Sequence, residues 1–271
     1  MHASVTAFLN RVWDDPSIHR LTDEDDLVWD IYDLYTPQPP QGVDASWTQV
    51  QYNAAPTDQM GWRVYISATP AHLMTVWNRL QPLFNQQPGV VAAKHTTVAG
   101  AATRVDTIVV YLRNSADKDA LIAGIQALHQ GRVLAGRPPV PPKLRPMMFK
   151  QQVPPTTMAV PGLQGVSHAQ QPVGINAAQQ PEGSAWKTEA APIPHLVSFG
   201  QQLAEIVAKA YHKAPSKAEF FKRATANFMD RGVDVNQPWQ QLVSQAERQR
   251  FADSGVLARG DRARAKRGYH N

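Results

Sequence analysis

Trp62-Arg63-Val64-Tyr65-Ile66-Ser67 alternates apolar and polar residues and reads as a β-strand carrying a cation and a phenol. Downstream, Thr69-Pro70 opens a helix whose Leu73, Val76, Trp77, Leu80 and Leu83 fall on one face, with Pro70 suited to a first turn. Pro88-Gly89 then turns the chain into a second strand, Val90 to Thr97, which ends in Lys94-His95-Thr96. A small, glycine-containing stretch from Val98 to Thr103 reads as a flexible loop. A third strand follows from Arg104 to Arg113 and contains Tyr111. Asp117 to His129 is helical, with Leu121, Ile125 and Leu128 inward. Strand, helix, strand, strand, helix is the order of an α+β domain with helices packed on one face of a mostly antiparallel sheet. The tight connection between Thr97 and Arg104 makes at least one pairing antiparallel.

Working outward, the N-terminal part reads as a helical segment over 1–40. Val5, Phe8, Leu9, Val12 and Trp13 recur at helical spacing, and Thr22-Asp23-Glu24-Asp25 starts a second stripe of Leu27, Val28, Ile31 and Leu34. Thr36 to Gln41 is a short proline-rich linker, and Ala45 to Asn53 holds one further strand. The main domain spans 45–257. Within it, 137–194 changes character to proline, glutamine and glycine with little periodicity. Leu144, Met147, Met148, Phe149, Val160 and Leu163 are too apolar for an idle tether, so this segment is expected to wrap a site with partial order. A helical C-terminal part follows: Ser198 to His212, a helix started by the capping box Ser216-Lys217-Ala218-Glu219, and Pro238 to Phe251. The tail 258–271 is basic, and a frayed terminus explains it better than nucleic-acid binding.

Composition narrows the chemistry. The chain has 271 residues, a net charge of +5 and no cysteine, which excludes disulfides, thiolate catalysis and cysteine-bound zinc. No histidine pair has the spacing of a zinc site, so no metal is expected. There is neither a phosphate-cradling glycine loop nor a serine nucleophile elbow. With no signal peptide and no apolar run long enough to span a bilayer, a soluble, cytoplasmic protein without membrane contact is expected.

What remains is a cluster of cations. A lone strand arginine is usually a solvated face, but Arg63, Tyr65, Lys94, Arg104, Tyr111 and Arg113 come from neighbouring strands with no matching carboxylate. Lys94 ends an apolar run of Val90, Val91, Ala92 and Ala93, where a charge is costly to desolvate. Arginine forks suit phosphate oxygens, so the expected ligand is a phosphate monoester.

These residues carry a resemblance. Arg63-Val64-Tyr65, Lys94-His95-Thr96, and Arg104 leading to Thr107-Ile108-Val109-Val110-Tyr111-Leu112-Arg113 resemble the HopA-type type III effector family. That family includes the LanY lyases of class V lanthipeptide and thioamitide pathways. Pro146-Met147-Met148-Phe149-Lys150, Gly162-Leu163-Gln164-Gly165-Val166, Gln171-Pro172, Ser198-Phe199-Gly200, Phe220-Phe221 and Gly232-Val233-Asp234 extend the resemblance over roughly residues 60 to 240. A more distant similarity is to the OspF and SpvC phosphothreonine lyases.

The resemblance implies a carbon–oxygen lyase that eliminates phosphate from phosphoserine or phosphothreonine in a peptide, leaving a dehydroamino acid, as in lanthipeptide maturation. Lys94 would be the base. At the acid position the related lyases have a histidine and this chain has Tyr65, which becomes the candidate acid, with His95 as the alternative. Arg63, Arg104 and Arg113 would clamp the phosphate, and Tyr111 would donate a hydrogen bond. Where the family pattern has an arginine after Ser198-Phe199-Gly200, Gln201 and Gln202 stand here, so one phosphate contact is either lost or supplied by Lys143, Arg145 or Lys150. The reaction needs no metal or organic cofactor. Its partners would be a phosphorylated precursor peptide and a separate Ser/Thr kinase. The other reading is a non-catalytic phosphopeptide- or protein-binding module, which the missing histidine favours.

Overall fold

The computed structural model describes residues 1–21, 23–35, 44, 46–53, 61–130, 144–170, 199–212, 214–230 and 233–238. Strands β1 (Trp47–Gln51), β2 (Trp62–Ile66), β3 (Val90–Thr96), β4 (Ile108–Leu112), β5 (Met158–Ala159) and β6 (Val166–Gln170) form one sheet. Their order is β1-β3-β4-β2-β6-β5, and every pairing is antiparallel. The helices are α1 (Ala3–Asp14), α2 (Glu24–Tyr35), α3 (Leu73–Gln86), α4 (Gly100–Thr103), α5 (Ser115–Gln130), α6 (Phe199–Tyr211) and α7 (Lys217–Asp230). This is the expected α+β fold.

Strand alternation divides the core in two. Val64, Ile66, Ala93, Ile108, Val110 and Leu112 turn to one face, where Leu73, Val76, Trp77 and Leu80 of α3 and Leu121 and Ile125 of α5 cover them. Each fully buried leucine or isoleucine there contributes about 1.5–3 kcal/mol. Tyr65, Val91, Val109, Tyr111 and Ala169 turn to the opposite face, beneath α1, α2, α6 and α7. The helical C-terminal part therefore forms a second layer, and the N-terminal helices share its core. Gly200 allows α6 to lie on α2, because a Cβ there would stand 2.5 Å from Tyr35 Cδ1.

One irregularity sets the phase of β3. Its register against β4 shifts between Val90 and Ala92. The bulge lets both Val91 and Ala92 bury under α2 and α6, and it turns Lys94, opposite Val109, to that same side. His95 then faces α3, its ring 4.6 Å from that of Trp77.

Several local expectations change. The stretch expected as a loop between β3 and β4 contains the short helix α4. The expected Arg104–Arg113 strand starts only at Ile108. Arg104 to Thr107 instead forms a connection in which the Thr107 hydroxyl donates to Ile66 O and accepts from Ala68 N–H. The irregular 137–194 region contains β5 and β6, with β6 seated between β2 and β5. Of the capping box, Ser216 Oγ accepts from Glu219 N–H, while the Glu219 carboxylate turns to Arg223. The expected Pro238–Phe251 helix beyond Pro238, the basic tail and the domain boundaries near 40 and 257 lie outside the described residues.

Candidate functional site

Four strands and two helices build a cleft on the α2/α6 face. Arg63 and Tyr65 alternate onto this side of β2, Lys94 arrives by the β3 bulge, and Trp47 comes from β1. Arg104 and Asp106 enter from the connection before β4, and Tyr32, Tyr35 and Gly200 close the cleft from α2 and α6. Its volume is ≈ 40 Å³. The charged lining is Arg63, Lys94 and Arg104 against Asp106, three cations to one carboxylate.

Aromatic rings hold the cations. The Lys94 ammonium lies 4.3 Å from the Trp47 ring centroid, and the Arg104 guanidinium 4.8 Å from the same ring. The Arg63 guanidinium lies 4.9 Å from the Tyr111 centroid. Such contacts contribute about 0.5–2 kcal/mol each, more where water is excluded. Arg63 and Arg104 are 3% and 4% exposed, so their charges face a dry environment. Arg104 also grips Asp106 with two parallel hydrogen bonds of 3.0 and 3.1 Å. The expectation of cations without a carboxylate is corrected here: Asp106, two residues after Arg104 across the bend at Val105, supplies one.

The tyrosines complete the lining. Tyr65 shares a hydrogen bond with Arg63; burial pushes its phenol well above the ordinary range, and Arg63 pulls it back only in part. Tyr35, raised chiefly by burial, donates its hydroxyl to Pro155 O at 2.6 Å. Both phenols thus remain protonated donors over the physiological range.

The other expected site residues lie elsewhere. Arg113 sits beyond the end of β4, its Nε 3.6 Å from Asp117 Oδ2. It is four residues past Val109, the Lys94 partner, or roughly 13 Å along the strand. Lys150 donates to Ala101 O at 2.6 Å and Arg104 O at 2.7 Å, so it ties down the backbone behind Arg104. Arg145 is exposed at the start of a 3-10 turn, Pro146–Met148. Lys143 lies outside the described residues. His95 stands on the other face of the sheet from Lys94. The site also includes residues the sequence reading missed: Trp47, Asp106, Tyr32 and Tyr35. Among the described residues no three His, Asp or Glu side chains gather as a metal ion would require. No described helix is long and apolar enough to cross a membrane.

Neither a family model nor a curated protein matches the sequence. Solved structures do match the fold. An effector protein from Pseudomonas syringae pv. tomato strain DC3000 superimposes with a TM-score of 0.54 over 88% of this chain and 96% of its own, at 12% identity. An effector protein from Pseudomonas syringae pv. syringae strain 61 does so with a TM-score of 0.52 over 88% and 97%, at 14% identity. The likeness spans nearly the whole of both effectors, and at these identities it is a likeness of fold.

Proposed function

We propose that the protein is a lyase that removes phosphate from phosphoserine or phosphothreonine in a peptide by β-elimination. The observation that carries this reading is the convergence of Arg63, Arg104, Lys94 and Tyr65 on one cleft with an excess of positive charge. The fold shared with bacterial effector proteins supports it.

In this reading Arg63 and Arg104 hold the phosphoryl oxygens, each already aligned by an aromatic ring. The Lys94 amine, entering uncharged, takes the α-proton. The C–H electron pair becomes the Cα=Cβ bond, and the Cβ–O bond breaks. The departing phosphate takes a proton from the Tyr65 hydroxyl, and Arg63, bonded to Tyr65, stabilises the phenolate. Proton exchange with solvent then restores Lys94 and Tyr65. In lanthipeptide-type maturation a separate Ser/Thr kinase would supply the phosphorylated precursor. Arg113, expected in the clamp, and Lys150, bound to backbone carbonyls, act outside this scheme.

Incubation with a phosphothreonine peptide is the test. Mass spectrometry should show loss of phosphoric acid and a dehydrobutyrine product. One observation favours a second reading, a phosphopeptide-binding module without catalysis: the Lys94 ammonium rests on the Trp47 indole face, a contact that suits a cation holding a phosphate. That reading gives a peptide retained on the protein with its mass unchanged.

A further inference from the structure

The cleft cannot enclose a peptide. Its ≈ 40 Å³ compares with roughly 300–1,000 Å³ for pockets that surround a whole drug-sized ligand. It admits a side-chain head group, so the backbone bearing that group lies outside. Of the strand residues lining the cleft, Arg63, Tyr65 and Val109 are buried, while Trp47 and Lys94 are partly exposed. The strand side of the cleft therefore opens toward β1, the outermost strand at that end of the sheet.

The edge of β1 is built to receive a backbone. Thr97 N–H donates to Ser46 O, and Tyr52 N–H donates to Val91 O. With Trp47 opposite Thr96, this phase turns the even-numbered residues of β1 toward β3. Trp47, Gln49 and Gln51 accordingly direct their N–H and C=O groups outward. Trp47 lines the cleft and Gln49 stands opposite Lys94, so these residues share the cleft face. Edge strands are commonly blunted by charge, proline or a bulge, yet Trp47-Thr48-Gln49-Val50-Gln51 carries no charge, proline or glycine. Among the described residues no strand pairs with this edge.

We propose that the β1 edge is the docking strand for the substrate: an extended phosphopeptide adds antiparallel to β1 and directs its phosphoryl side chain past Trp47 into the cleft. The inference rests on the phosphopeptide reading above. Antiparallel pairing continues the rule of the whole sheet. An added strand would lie about 10 Å from β3, and the Lys94 side chain already spans much of that gap by reaching over Trp47. Charge selects the occupant. A phosphopeptide brings negative charge to the cleft, whereas a second copy paired through β1 would set two cationic clefts side by side.

Antiparallel addition predicts an alternation. The phosphoresidue and the residues two before and two after it share the cleft face and bond to β1, while its immediate neighbours bond to nothing. The probes are a short peptide with a central phosphothreonine and two N-methylated versions of it, with binding read by calorimetry. Methylation two residues before and after should weaken binding at least about tenfold, and methylation of the immediate neighbours by less than about twofold. Gln49→Pro, which removes one outward N–H, should weaken the parent peptide about fivefold with an unchanged melting temperature. Equal effects of the two methylation patterns, or a β1-paired dimer in the crystal of the free protein, would overturn the docking strand while leaving the phosphopeptide reading intact. Failure of the unmethylated parent to bind would overturn both.

Discussion

At the residue scale, Lys94 and Tyr65 separate chemistry from binding. Lys94→Ala should lower elimination by at least about 10³-fold, and Tyr65→Phe by about 10²-fold, while each keeps phosphopeptide affinity within a few-fold. Single-turnover mass spectrometry beside calorimetry checks this, and wild-type turnover by Lys94→Ala would remove the mechanism. Asp106 makes the opposite case. Its carboxylate and Arg104 are a buried pair with side chains 14% and 5% exposed. Asp106→Ala should therefore cost about 1–3 kcal/mol in a urea unfolding curve, because the buried guanidinium loses a carboxylate bonded through two of its nitrogens. The cations of the cleft were legible in the sequence because Arg63 and Lys94 interrupt apolar strands. Trp47 and Asp106 were not, since what qualifies them is convergence in space: one ring beneath two cations, and one carboxylate that binds its own near neighbour.

At the element scale, β2, α3, β3 and α5 could be read from periodicity, since each has one face buried and one turned to a different environment. β6 escaped that reading. Its Val166-Ser167-His168-Ala169 run is almost wholly buried, yet it is small and polar, so it shows neither an apolar run nor clean alternation. Its signal lies in the turn before it. Gly165 has φ +70°, and a Cβ there would stand 2.7 Å from Lys150 O. Gly165→Ala should destabilise the fold by about 1–3 kcal/mol, measured by chemical denaturation, from strain and crowding together. The β3 bulge offers a sharper test. Deleting Val91, the extra residue of the bulge, should leave Val90 opposite Leu112 and Lys94 opposite Val109, so elimination should persist in a protein that is folded by circular dichroism.

Across the whole molecule, one buried histidine ties stability to acidity. His168 packs edge-on to Trp62, and burial, with help from the Lys118 charge, pulls its imidazole down to about 4 from an ordinary 6.5. The folded state thus resists a proton that the unfolded chain accepts. Stability is full above pH 6.5 and declines as pH falls from there to about 4. At pH 5 the loss should be about 2 kcal/mol relative to pH 8. His168→Gln should abolish that part of the decline, seen as a smaller shift in the denaturation midpoint between the two pH values.

The position of β6 also bears on how the chain matures. Arg63 and Ala169, paired side by side in the finished sheet, are separated by about a hundred residues of sequence. At about 5–20 residues per second, a ribosome needs several seconds or more to deliver that neighbour. During this interval the nascent strand bearing Arg63 has one flank open, and a helper that shields it then would act on assembly without touching the mature protein.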